Sequence, residues 1–132
     1  MKAFREAIEA RDVDALEALL ADNVVFRSPA VHKPYEGKLA TSVVLRAVMR
    51  VFEDFRYTRE IGEAGGADHV LVFEARVGDR QVEGADFLHV REDGLIDDFR
   101  VMIRPLSGLT TVVEAMGAVL PDVIREMGLP AE

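Results

Sequence analysis

Gly84-Ala85-Asp86-Phe87-Leu88-His89-Val90, followed by Arg91-Glu92-Asp93-Gly94, is the stretch that decides the fold. It reads as a β-strand running into a tight hairpin turn. Strand residues alternate between faces, so Gly84, Asp86, Leu88 and Val90 share one side. Leu88 and Val90 mark that side as the core side, which turns Asp86 inward. A buried, unpaired carboxylate is costly, and a chain that keeps one usually keeps it for chemistry or for binding.

Working outward, the neighbouring segments are β as well. Tyr57 to Glu63, Asp68 to Val77, Gln81 to Arg91 and Leu95 to Arg104 read as four strands. Ala64-Gly65-Gly66, Gly78-Asp79 and Asp93-Gly94 supply the turns of an antiparallel meander. Upstream the period is helical. Phe4, Ile8, Leu16, Leu19 and Leu20 form an apolar stripe, and Asp12 is placed to cap a second short helix. Asn23 to Pro29 is a short strand stopped by proline, and Ala30 to Gly37 a loop. Lys38 to about Asp54 is a long amphipathic helix with Val44, Val48, Val51, Phe52 and Phe55 on one face. After Pro105, Ser107 is expected to cap a last helix whose stripe (Leu109, Val112, Val113, Met116, Val119) runs up to Pro121. Segregated helices and antiparallel strands mean an α+β fold. Long strands in a small sheet must twist and curl. The expected architecture is a cone-shaped barrel of a strongly curved, mixed or antiparallel sheet. N-terminal helices close its concave side, a C-terminal helix is added, and residues 1–132 make one domain. Cavities of that kind take small ligands.

Composition narrows the function. Of the 132 residues, 49% are hydrophobic, enough for a sizeable core. The formal net charge of −8 comes without a basic stripe, which argues against nucleic acid and anionic membranes as partners. There is no cysteine, hence no disulfide or thiol chemistry. No apolar run is read as approaching the roughly 18–20 residues of a membrane span. The first residues carry charges at helical spacing rather than a signal segment, so a cytoplasmic protein is expected.

Several pieces in order resemble one family. They are Arg11-Asp12-Val13-Asp14-Ala15-Leu16, Leu20-Ala21-Asp22-Asn23-Val24-Val25-Phe26, Pro34-Tyr35-Glu36-Gly37-Lys38 and Glu92-Asp93-Gly94-Leu95-Ile96. Over nearly its whole length the chain is similar to the nuclear transport factor 2-like superfamily, which includes ketosteroid isomerases and SnoaL-like polyketide cyclases. The resemblance implies the cone-shaped fold and leaves the activity open, since this superfold hosts many. In the ketosteroid isomerases an aspartic acid at the place of Asp86 donates a hydrogen bond to the substrate oxyanion. The tyrosine of the first helix is matched here by Phe4, and the base before a proline is matched by Ser28. Phenylalanine has no proton to donate, and serine without a neighbouring base cannot take one from carbon near neutral pH. The isomerase reaction of that family is therefore not expected.

Asp86 stands as the candidate acid or base. Phe26, Ser28, His32, Tyr35, Val48, Phe52, Phe73, Leu88, Phe99 and Val101 are the candidate ligand contacts. His69 is read as exposed, and Asp93, Asp97 and Asp98 as a solvated hairpin cluster. Three scattered histidines give no metal spacing, and no cofactor or metal is expected. Val70, Val72, Phe87, His89 and Met102 fall on the outward, convex sheet face, which is apolar enough to propose a homodimer. Three functions stay open: a pocket protein for a small hydrophobic molecule; a cofactor-free isomerase, hydratase, cyclase or hydrolase using Asp86; and a dimeric interaction module with a filled cavity. An open cavity at Asp86 separates the first two from the third. A second titratable group within reach of Asp86 favours the enzyme.

Overall fold

The meander read from the turns is present, and it is completed by one parallel pairing. The structure is a computed structural model and describes residues 1–130. Two short helices, α1 (Lys2–Glu9) and α2 (Val13–Ala18), lead into β1 (Leu20–Arg27), β2 (Tyr35–Glu36) and the long α3 (Lys38–Val51). β3 (Glu53–Ile61), β4 (Asp68–Val77), β5 (Arg80–Val90) and β6 (Ile96–Arg104) follow, then α4 (Leu106–Glu126). The strands form one mixed sheet in the order β2-β1-β6-β5-β4-β3. β1 runs parallel to β6, and the other pairs are antiparallel.

The sheet curls because its ladder is interrupted. Register shifts break β3 against β4 twice, β1 against β6 once and β5 against β6 once. Each extra residue bends its strand and adds right-handed twist. The concave face carries the core. Along β4, Leu71, Phe73, Ala75 and Val77 are buried while their neighbours are half-buried. Gly84 is the one place on β5 where a side chain cannot fit. A Cβ there would lie 2.2 Å from Cζ of Phe73 and 2.8 Å from the Met102 carbonyl oxygen. Its absence lets the Phe73 ring lie flat over β5, stacked on Phe55 at 4.8 Å.

Several expectations hold at the residue level. Asp12 caps α2, its carboxylate accepting the Ala15 N–H at 3.1 Å. His89 faces outward, with Nδ1 2.7 Å from Asp97 Oδ1. Other expectations are corrected. His69 is 6% exposed rather than solvated, because it shares the core-facing parity of Leu71 and Phe73; its Nε2 lies 2.7 Å from the Gly66 carbonyl oxygen. The loop after β1 contains β2, whose residues pair with Val25 and Phe26. Asp93, Asp97 and Asp98 do not form one cluster but pair separately with Arg91, His89 and Arg27. The last helix starts after Pro105 rather than at Ser107, and it does not stop at Pro121 but runs through it to Glu126. This extension makes α4 long and apolar enough, by length and composition, to cross a membrane. Here α4 lies across the sheet, with Val112 buried beside the concave side.

Candidate functional site

Under α3 and α4 the concave face leaves a cavity of about 300 Å³, lined by far more carbon than oxygen or nitrogen. Its walls come from almost every element. Phe26 lies on β1 and Ser28 just past its end, Tyr35 is on β2, Val48 comes from α3 and Phe52 from the residue just past its end. Phe73 of β4, and Phe99 and Val101 of β6, complete the sheet side, and Leu109, Met116 and Leu120 of α4 the other. The cavity is neither filled by side chains nor closed to the outside: Val31 and Val113, both at its edge, are 49% and 42% exposed.

Two of the residues named from the sequence lie elsewhere. His32 is exposed and faces a neighbouring groove rather than the cavity, because the loop lines the cavity only as far as Val31. Leu88 is 2% exposed but packs one step beyond Asp86 along β5, outside the cavity wall. Ser28 does line the cavity, and its Oγ accepts the Ala30 N–H at 3.0 Å, a local turn that holds the loop. Phe4 is completely buried beneath the site. It meets Phe99 edge-on at 5.4 Å and lies 6.4 Å from the Tyr57 ring.

Asp86 is 5% exposed and lines the cavity. Its partner is the Tyr57 hydroxyl, which donates to Asp86 Oδ2 at 2.7 Å. No cation pairs with Asp86 among the described residues. Loss of water around the carboxylate pushes its pKa up from 3.8 to about 7, outweighing the Tyr57 hydrogen bond, which pulls the other way. Tyr57 is held well above the ordinary tyrosine value, first by its own burial and then by the Asp86 charge and hydrogen bond. The pair therefore has a fixed division of roles: Tyr57 keeps its proton, and Asp86 gains or loses one near neutrality. Among the described residues, Asp86 is the only carboxylate lining the cavity.

Tyr57 is the functional residue the sequence reading missed. It sits on β3 opposite Phe73, two strands from Asp86, and reaches diagonally across β4. The curl of the sheet brings its hydroxyl over. A hydroxyl thus reaches Asp86 from the third strand, while the first helix offers only Phe4. Arg11 was also missed. It holds a left-handed backbone (φ 54°) and donates Nη1 to the Met49 carbonyl at 2.9 Å and Nη2 to that of Phe52 at 3.0 Å. It thereby ties the α1–α2 turn to the carbonyls at the end of α3, where a cation is favourable. No cluster of three or more His, Asp or Glu placed to hold a metal occurs among the described residues.

A family model described as a SnoaL-like domain matches residues 1–99. The crystal structure of a steroid delta-isomerase from Pseudomonas aeruginosa is 44% identical and superposes with a TM-score of 0.87, over 92% of this chain and 89% of that one. An uncharacterised protein with a cystatin-like fold from Silicibacter pomeroyi is 36% identical, with a TM-score of 0.84 over 89% of this chain and 82% of that one. An epoxide hydrolase/cyclase-like enzyme of pyran ring formation in salinomycin shares the fold at 18% identity, with a TM-score of 0.63 over 81% of this chain and 88% of that one. No curated protein matches the chain.

Proposed function

The chain belongs to the SnoaL-like domain family, within the nuclear transport factor 2-like superfamily, and from that premise we propose that it binds a small apolar carbonyl compound and exchanges a proton with it through Asp86. The observation that carries this reading is the Tyr57–Asp86 pair in the wall of a predominantly apolar, open cavity, whose other polar lining residues are Arg11, Ser28 and Tyr35. A volume of about 300 Å³ lies at the lower end of the range for small-molecule sites, so the ligand is compact.

The chemistry follows from the protonation states. Protonated Asp86 donates to a carbonyl oxygen, while Tyr57 holds the carboxyl in place. Ionised Asp86 takes a proton from a carbon next to that carbonyl. An acid with a pKa near the working pH does both well, and such catalysis is worth about 10²–10⁴-fold. Because one carboxylate must both take the proton and return it, reactions that start and end with Asp86 in the same state fit best. Allylic isomerisation is the simplest of these. The relative named a steroid delta-isomerase supports a proton transfer of this type. The three-group arrangement of the ketosteroid isomerases is not proposed, since Phe4 and Ser28 stand where two of its groups would be.

The test is exchange rather than a guessed substrate. In deuterated buffer the protein is expected to speed deuterium entry next to the carbonyl of an apolar cyclic ketone by at least about 100-fold over buffer. The rate should titrate near pH 7, and Asp86→Asn should abolish it. Exchange no faster than in buffer would leave a binding pocket without this chemistry. Homodimerisation through the convex face also belongs to this reading. Val70 and Val72 are half-buried there, and Phe87 and Met102 are 37% and 53% exposed, with His89 beside them. Sedimentation is expected to show a dimer that Phe87→Glu converts to monomer; an unchanged dimer would place the interface elsewhere.

A further inference from the structure

The inner stripe of α4 has one position without a side chain. Leu109, Val112, Val113, Met116 and Leu120 recur at helical spacing and line the cavity, and Gly117 lines it in the same stripe. Glycine in the middle of a helix is destabilising relative to alanine. It is expected there only where the backbone or a close neighbour excludes a side chain. The backbone does not, since Gly117 is helical and is not among the glycines with positive φ. Nor does a neighbour: a Cβ at Gly117 would meet no atom within 4 Å among the described residues. Gly108 of the same helix is the contrast, because a Cβ there would lie 2.6 Å from Cγ1 of Val82. Pro121, one turn on, has no N–H to give the Gly117 carbonyl. Its ring still leaves the Cβ position free, so the proline does not demand a glycine.

What a side chain at this position would take away is open space at the edge of the cavity. Gly117 is exposed, and Val113, one turn before it, is 42% exposed. The wall of α4 drops to backbone at this point, leaving a notch whose neighbours on the helix are the apolar Val113, Met116 and Leu120. An apolar notch that opens from an apolar cavity to solvent fits an apolar group better than water.

We propose that Gly117 sets the shape of the ligand. The compact body of the ligand lies in the cavity beside Asp86, and one apolar substituent leaves through the notch, across the Gly117 backbone. The inference rests on the reading of the cavity as an apolar binding site and adds a shape requirement to it.

Two uncharged compounds that differ by one phenyl ring separate the claims: α-naphthylamine and N-phenyl-α-naphthylamine. The wild-type protein is expected to bind the phenyl compound at least about tenfold more tightly. Gly117→Leu, which fills the notch, should weaken the phenyl compound about tenfold, the loss expected when roughly 55 Å² of ring can no longer be buried. The same substitution should leave α-naphthylamine within about twofold. Gly117→Ala should raise the melting temperature by roughly 3 °C, as expected where neither backbone nor packing needs the glycine. Three results would each remove the notch from the ligand site and leave the apolar pocket standing: a phenyl ring that adds no affinity in wild type, a Gly117→Leu variant that weakens both compounds alike or neither, or a Gly117→Ala variant that melts lower. If neither compound binds wild type, the pocket reading fails and this inference fails with it.

Discussion

Replacing Asp86 by asparagine is expected to make the protein more stable at pH 8 by on the order of 4 kcal/mol, while leaving stability near pH 4 almost unchanged. The sign follows from proton binding. The Asp86 carboxyl has a pKa of about 7 in the fold and an ordinary 3.8 when unfolded. Between those values the folded protein holds the proton and the unfolded chain does not. Stability therefore falls as pH rises through this window and levels off above it. At about 1.4 kcal/mol per pH unit, the ionised carboxylate costs roughly 4 kcal/mol above pH 7. Asparagine carries no charge, and its carbonyl oxygen still accepts the Tyr57 hydroxyl. Denaturant unfolding of both proteins from pH 4 to pH 9 checks this, since other titrating groups cancel in the difference. Parallel curves would mean that Asp86 is not desolvated. A substitution that stabilises the fold and removes the chemistry is the signature of a residue kept for function.

The opposite sign is expected a few ångströms away. Phe99→Ala should cost about 3–5 kcal/mol, the usual penalty for deleting a buried ring. Phe99 is 2% exposed on β6, a central strand of the sheet. Its ring meets Phe4 and Phe26 edge-on, at 5.4 and 5.2 Å, and closes the sheet side of the cavity. Those neighbours are held by helix α1 and strand β1, so the gap cannot collapse, and the cost falls at the upper end of the range. The same denaturant experiment reads it. A loss below about 1 kcal/mol would show that the aromatic cluster is loosely packed and that the cavity is not rigidly bounded. Asp86 and Phe99 line the same cavity, yet one is kept at the expense of stability and the other provides it.

The contrast between these residues also shows how far the sequence could be read. Asp86 was legible because β5 is regular from Arg80 to His89, so alternation placed it inward beside Leu88. The α+β order, the Asp12 cap and the hairpin turns were legible for a similar reason: each depends on residues close together in the chain. Tyr57 was not. β3 carries two register shifts on either side of it, so period-two counting fails there, and its partner lies two strands away. His69 was misjudged because a polar residue at a strand end beside Gly65-Gly66 looks solvated, although its parity matched Leu71. The course of α4 past Pro121 depends on packing against α3 and on the Arg50–Glu126 ion pair, neither of which is local. Local pattern therefore located the carboxylate, and only the curl of the sheet supplied its hydroxyl partner.

The account turns on one property, an aspartic acid that exchanges its proton near neutrality inside an apolar cavity. Carbon-13 NMR titration of the Asp86 carboxyl, assigned by its disappearance in Asp86→Asn, measures that property at the atom itself. The account predicts a midpoint of about 7. A midpoint near the ordinary value of about 4 would contradict it, because a solvated, fully ionised Asp86 is neither a neutral donor nor a poised base.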